Sequence, residues 1–261
     1  MQSGAVAQDR RADYYFRVVE KALEKTAADY PAYEFKRPPH MSHSRVIAEM
    51  EEGGSRDWGV FPFNPEFSKK LILIDIPIAK GILGYRVFLI RKDAQEKLRA
   101  VNTLDDLKAL RLGSGQDWNI TRVFRTAGFN LVTGASYDGL FEMLLNDRFD
   151  FFPRGVNEII DEFDQRKDKF PDLAIDDAVL LYTPLPVFVY VAPGKPELAK
   201  RLRDGLERMR ADGSFDELFI AEHGPLIERL RLKERKIFRI PNPAVAGLDV
   251  LDRKEFWFSV D

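Results

Sequence analysis

Apolar positions along this chain recur with two periods that take turns. From Asp13 to Tyr30 they return every three or four residues, with Tyr15, Val19, Ala22, Leu23 and Thr26 on one stripe and Lys21, Glu24 and Lys25 outside it. That spacing predicts a helix with one buried face, stopped by Pro31. Ala32 to Lys36 alternates like a half-buried strand. A second helix is predicted from a Ser42 or Ser44 cap to Met50, ending at Gly53-Gly54. Short apolar runs follow at Trp58–Phe61, Leu71–Ile78 and Tyr85–Ile90, separated by proline and glycine turns.

Beyond the charged link Arg91–Arg99, helix and strand signals alternate. Thr103-Leu104-Asp105-Asp106 has the hydroxyl and carboxylate spacing of a capping box. Arg111–Ser114 reads as a strand, Gly115–Asn119 as a polar loop, Ile120–Ala127 as a helix and Asn130–Thr133 as a strand. Ser136 caps a predicted Tyr137–Leu145 helix. Later come a Glu158–Lys169 helix, strands at Ala178–Tyr182 and Val187–Val191 around Pro184-Leu185-Pro186, and a helix opened by Pro196. A capping box at Ser214–Glu217 starts another helix, and the tail after Arg235 reads as irregular. This alternation predicts an α/β fold with a mainly parallel sheet.

Arg148–Ile160 stands at the centre of the pattern. It reads as a strand, Phe149–Phe152, stopped by Pro153, then Arg154-Gly155 and a new helix. Strand ends of this kind line the ligand crevice of open α/β sheets. Arg154 suits a carboxylate or other oxyanion, and Gly155 allows close backbone approach. The alternative for Arg154 is a structural ion pair with Glu158 or another nearby acid. Glu49–Asn64 repeats the same order of helix, polar turn, apolar strand and proline loop, which predicts two similar lobes.

Totals exclude several classes. A formal net charge of -2 lacks the basic excess of a nucleic-acid binder. No apolar run reaches the ~20 residues of a membrane span. With no cysteine, disulfides and thiolate chemistry are ruled out. His40 and His43 lack the further ligands a metal site needs. No catalytic constellation, metal site or cofactor motif is expected; Gly113-Ser114-Gly115 is too short for a phosphate loop. Ala5-Val6-Ala7 before Gln8 looks like the end of a secretory signal, which predicts a trimmed, periplasmic or extracytoplasmic protein.

Several motifs together resemble the type II periplasmic-binding-protein fold, specifically the family 3 extracellular solute-binding proteins of ABC uptake systems. They are Asn102–Lys108 with Arg111-Leu112-Gly113, Gly84–Val87, Asp147–Asp150 and Asp212–Asp216. The resemblance spans about Tyr14 to Phe219. It implies a two-lobed α/β clam-shell with two hinge crossings: residues 1–92 and 188–261 as lobe one, 93–187 as lobe two. It further implies a monomer that captures a small-molecule ligand and serves a membrane permease or sensor. Gln116, Trp118 and Asn119 then occupy the second-lobe contact loop, and Phe61 and Asn64 the first-lobe one. The alternatives are a Trp118 packed on the adjacent helix, a core Phe61 and an Asn64 that caps the next turn.

The chain departs from the amino-acid binders of that family. Phe67–Lys70 stands where they place an arginine for the ligand carboxylate. Gly155 stands where they place an acid for its ammonium. The expectation is therefore a polar or anionic ligand carrying a carboxylate, rather than an α-amino acid. The competing functions are a sensing or interaction module of the same fold, and a dehydratase-like enzyme using Glu158 or Asp117.

Overall fold

The computed structural model describes residues 10–36, 41 and 43–260; Ala5–Gln8 and His40 lie outside them, as does the side chain of His43. The described strands are β1 (Trp58–Pro62), β2 (Ile72–Ile74), β3 (Tyr85–Arg91), β4 (Arg111–Gly115), β5 (Asn130–Gly134), β6 (Phe152–Gly155), β7 (Leu173–Ile175), β8 (Val179–Tyr182), β9 (Val187–Val191) and β10 (Lys236–Arg239). The helices are α1 (Arg10–Glu24), α2 (His43–Glu51), α3 (Pro65–Ser68), α4 (Gln95–Arg99), α5 (Leu104–Ala109), α6 (Asn119–Thr126), α7 (Tyr137–Leu145), α8 (Ile159–Asp164), α9 (Pro196–Ala211) and α10 (Ser214–Arg229).

Two sheets result. The smaller is antiparallel in the order β1-β9-β2. The larger runs β10-β8-β3-β6, with β7 also on β3, and the parallel pair β4-β5 joins it through a bridge between Leu112 and Phe151. β3 is antiparallel to β6, β7 and β8, so the predicted mainly parallel sheet is in fact mixed.

β3 explains the layering. All its residues from Tyr85 to Ile90 are buried. Alternate side chains take opposite faces: Val87 and Leu89 join a cluster that continues through β9, α1 and α9, whereas Phe88 and Ile90 join one with Phe124 and Phe151 on the other face. A strand covered on both faces is apolar where the two layers meet it, as Val87–Ile90 are, while the buried Arg86 is set against Glu158.

Pro153 lies inside β6 rather than ending it. The Val156 amide donates to the Tyr85 carbonyl, so by alternation Phe152 and Arg154 also turn their amides to β3 while Pro153 turns away. Its missing N–H therefore falls on the side of β4, where the ladder is the single Leu112–Phe151 bridge and goes no further. Two more local readings change. Ala32–Lys36 forms no strand, and Lys236–Arg239 of the supposedly irregular tail forms one, parallel to β8.

The chain crosses between the sheets at Lys80–Gly84 and Thr183–Pro186. These crossings lie side by side: the Thr183 amide donates to the Gly84 carbonyl (3.1 Å), and the Ile78 amide to the Val187 carbonyl (2.9 Å). Gly84 is required there, because a Cβ at that position would sit 2.1 Å from the Thr183 carbonyl oxygen.

Candidate functional site

Strand directions gather one edge of the larger sheet. β4 and β5 are parallel, Leu112 and Phe151 bridge in parallel, and β6 and β8 both run antiparallel to β3. The carboxyl ends of β4, β5, β6 and β8 therefore share an edge with the start of β3 and both crossings. Gln116, Trp118, Asn119, Arg154 and Gly155 all fall there. On the smaller sheet, Pro62 pairs with Val187 and the Phe63 amide donates to the Pro186 carbonyl, which sets the Phe61–Asn64 stretch on the other side of the second crossing.

Arg154 is the buried centre of this edge, 7% exposed. Its Nε and Nη2 donate to Glu162 Oε2 (2.6 Å) and Oε1 (2.5 Å), a two-pronged pair. Nη2 also lies 3.2 Å from Glu158 Oε2. The guanidinium carbon sits 4.7 Å from the Trp118 ring centre, 5.0 Å from Phe152 and 5.7 Å from Tyr137. The Tyr137 hydroxyl donates to Glu162 Oε1 (2.7 Å).

Each neighbour has a local reason to be there. Phe152 and Arg154 share a strand face. Ser136 caps α7 by accepting from the Gly139 amide, and so sets Tyr137 at its first turn. Trp118 precedes α6 and lies across Gly115, where a Cβ would meet the indole at 2.3 Å. Its ring stacks on Phe152 at 5.9 Å and 18°. Thus Trp118 packs on the strand and on Arg154.

Gly155 closes the strand in register with Arg86. Its amide donates to Glu158 Oε2 (3.1 Å), and Arg86 Nη1 lies 3.6 Å from the same oxygen. Glu158 is therefore shared by two guanidiniums, from neighbouring strands. A Cβ at position 155 would lie 3.1 Å from Glu158 Oε2 and 2.7 Å from Asn157 Oδ1. The carboxylate nearest position 155 is thus that of Glu158, three residues later. Asn157 Oδ1 is buried and accepts no hydrogen bond.

The protonation states follow from these contacts. Burial opposes the charge on Arg154, but Glu162 and Glu158 more than offset it and hold the guanidinium above its ordinary range. Burial, then Glu162, pushes the Tyr137 phenol up. Arg154 stays charged and Tyr137 stays neutral at any ordinary pH.

The remaining expected residues have other partners. Phe61 is buried against Phe67 and Tyr190 in the core. Asn64 caps α3: its side chain accepts from the Glu66 amide (2.9 Å), and its own amide donates to the Tyr190 hydroxyl (3.2 Å). Gln116 and Asn119 are exposed at the loop, the Gln116 amide bonded to the Gly134 carbonyl. Glu162, Tyr137 and Arg86 were not anticipated as site residues. The spacing of four from Arg154 to Glu158 to Glu162 is the one sequence signal that could have revealed the cluster.

A groove of about 540 Å³ beside α7 is separate from this cluster, and none of its lining residues, Ser136, Glu142 and Arg148 among them, is buried. Among the described residues no group of three or more His, Asp or Glu could hold a metal ion, and no helix is long and apolar enough to cross a membrane.

No protein-family model and no curated protein matches the sequence. Solved structures do match. A protein from Wolinella succinogenes, assigned as the binding component of an ABC transporter and complexed with lysine, aligns with 79% of this chain and 84% of its own at 18% identity and a TM-score of 0.53. An ancestral arginine-binding protein bound to glutamine aligns with 80% and 87% at 18% identity and a TM-score of 0.50. The fold is that of the type II periplasmic binding proteins. Identities this low carry the two-lobed α/β architecture and nothing finer. Within that fold, the edge that gathers Arg154, Glu158 and Arg86 is the edge where the two sheets meet.

Proposed function

We propose that this protein is a solute-binding protein of the ABC-uptake kind, working outside the cytoplasm as a monomer that closes two lobes over a small polar molecule. The lobes divide at the Lys80–Gly84 and Thr183–Pro186 crossings, not at 92 and 188: one lobe is built on the β1-β9-β2 sheet, the other on the sheet of β3, β6, β7, β8 and β10 with β4 and β5. The ligand lies against the Arg154–Glu158 turn, with Gln116, Trp118 and Asn119 beside it and the Asn64 loop opposite.

One observation supports this most: three charged groups, Arg154, Glu162 and Arg86, are buried at a strand end around the partly exposed Glu158. Burying an ion pair costs several kcal/mol per ion in lost hydration and rarely stabilises more than an apolar pair would. Such clusters concentrate where a polar ligand must be met. The solved structures of this fold named above hold lysine and glutamine, each carrying both an ammonium and a carboxylate. Glu158 and Asn157 offer acceptors to the first, and Arg86 offers donors to the second. The ligand class that follows carries a carboxylate and a cationic or donor group together. This adds a cationic group to the polar or anionic, carboxylate-bearing class expected from the sequence, because Glu162 already neutralises Arg154.

Thermal unfolding and small-angle scattering against a panel of amino acids, dicarboxylates and amines test the reading. A ligand in excess of its Kd raises the midpoint by mass action and compacts the molecule. A panel that does neither overturns it.

A sensing or interaction module of the same fold is the second reading. It is favoured by the carboxylate that Glu162 already supplies to Arg154. Tight binding of a free solute by the isolated protein separates transport from this reading only when a cognate permease is also bound, so co-purification with one decides between them.

A further inference from the structure

We infer that residues 236–260 form a strap across both crossings and restrain the movement of one lobe against the other. This rests on the two-lobed reading above, but on no particular ligand.

The strap is fastened at two places. Its first anchor is the second crossing. β10 pairs with β8 along Val179–Tyr182, the Ile240 amide then donates to the Tyr182 carbonyl (2.9 Å), and the buried Asn242 donates from Nδ2 to the Pro184 carbonyl (2.9 Å). Lys236 secures the strand from behind by donating to the Arg99 and Val101 carbonyls (3.1 and 2.9 Å).

Its second anchor is the first crossing. The Phe258 amide donates to the Lys80 carbonyl (2.8 Å), the Tyr85 hydroxyl donates to the Phe258 carbonyl (3.0 Å), and Lys80 Nζ donates to the Glu255 carbonyl (3.1 Å). Trp257 lies on Gly81 so closely that a Cβ there would meet the indole at 2.5 Å. Lys80 and Gly81 both have positive φ, +46° and +69°. A residue with a side chain holds that conformation only when its surroundings enforce it, and here the strap does so.

Between the anchors, residues 243–256 pass through short 3₁₀ turns, and Ala246 and Gly247 are exposed. Hinge motion in a two-lobed protein is absorbed as φ and ψ changes at a few crossing residues. Here the backbone carbonyls of Lys80 in the first crossing and of Pro184 in the second, with Tyr182 just before it, are bonded to one continuous segment. Neither crossing can rotate without loosening a strap bond, so the strap narrows the range of lobe positions.

The chain has no cysteine, so Glu66→Cys and Asn146→Cys give one spin label on the α3 side and one after α7 without a background. A site-specific protease sequence inserted between Ala246 and Gly247 allows the folded protein to be cut afterwards. Electron–electron double resonance is then read before and after cleavage, without ligand. The strap predicts a broader inter-label distribution shifted to longer separations after cutting, with far-ultraviolet circular dichroism unchanged. Asn242→Ala, in the uncut chain, shifts the distribution the same way by less. An unchanged distribution in both overturns the inference, and so does loss of ellipticity on cutting, since the segment would then be part of the core. A protein that binds none of the solute panel yet responds to cutting refutes the proposed function and leaves the strap standing.

Discussion

Arg154 and Glu162 face each other as a two-pronged ion pair, two nitrogens to two oxygens at 2.6 and 2.5 Å, with both residues below a tenth exposed. The pair ties the end of β6 to the middle of α8. Removing one member strands a buried charge, which costs about 3–5 kcal/mol. Glu162→Gln is therefore expected to lower the urea midpoint by about that energy. Arg154→Met with Glu162→Leu recovers most of it, since the apolar pair needs no hydration. A double-mutant cycle from equilibrium unfolding checks both.

Glu158 has a different role. Its Oε2 is shared between Arg154 and Arg86 and is partly exposed. Glu158→Gln is expected to leave global stability within about 1 kcal/mol, as partly exposed ion pairs contribute little. Binding of an ammonium-bearing solute should weaken about tenfold or more, the value of one charge-assisted hydrogen bond. Titration calorimetry with the solute found in the panel measures it.

His223 gives the stability a pH signature. It is 6% exposed, lies 4.8 Å from the Tyr14 ring and 4.9 Å from Phe219, and neither ring nitrogen has a hydrogen-bond partner. Burial, with help from Arg17, lowers its pKa from 6.5 to about 4. The folded state favours the neutral ring, so this contribution is complete above pH 6.5 and is lost as pH falls from 6.5 through about 4. The loss is on the order of 3 kcal/mol. His223→Phe should flatten unfolding free energy across that window. The buried Asp150, held down to about 2 by Arg111 and Lys97 against its burial, titrates below the window and does not obscure it.

Gly84→Ala drives a methyl against the Thr183 carbonyl, a backbone atom that cannot rotate away. A loss of about 3 kcal/mol is expected from overpacking of this kind. Gly194→Ala, with nothing within 4 Å of the added carbon, serves as the control and should change stability by no more than about 0.5 kcal/mol. Thermal melts of the two variants make the comparison.

Much of this fold was legible because its signals are local. The Thr103 capping box, the Ser136 cap, and the apolar runs of β1, β3 and β9 all stand where the pattern of residues put them. The failures share one cause, dependence on a distant partner. Pro153 stays in a strand because its nitrogen faces away from β3, toward β4, where pairing stops at the Leu112–Phe151 bridge, and only the positions of β3 and β4 reveal that. Lys236–Arg239 becomes a strand because β8 has an unpaired side, whereas Ala32–Lys36 has a strand-like pattern and no strand to join. At the site, Arg154 and Trp118 were legible from their place at strand ends. Their satisfaction by Glu162, Tyr137 and Phe152 was not, since it depends on α8 folding back and α7 lying alongside.

The position of β3 and β9 within their sheets has a consequence for biosynthesis. Both sheets are completed by residues that leave the ribosome late: β1 and β2 wait for Val187–Val191, and β3 waits for Phe152–Gly155 and Val179–Tyr182. A nascent chain therefore carries the five apolar residues of Tyr85–Ile90 unsheltered until at least Tyr182 has been made. Such a chain folds late and nearly all at once, and a holdase that covers Tyr85–Ile90 during that interval should raise the yield of native protein more than one acting after release.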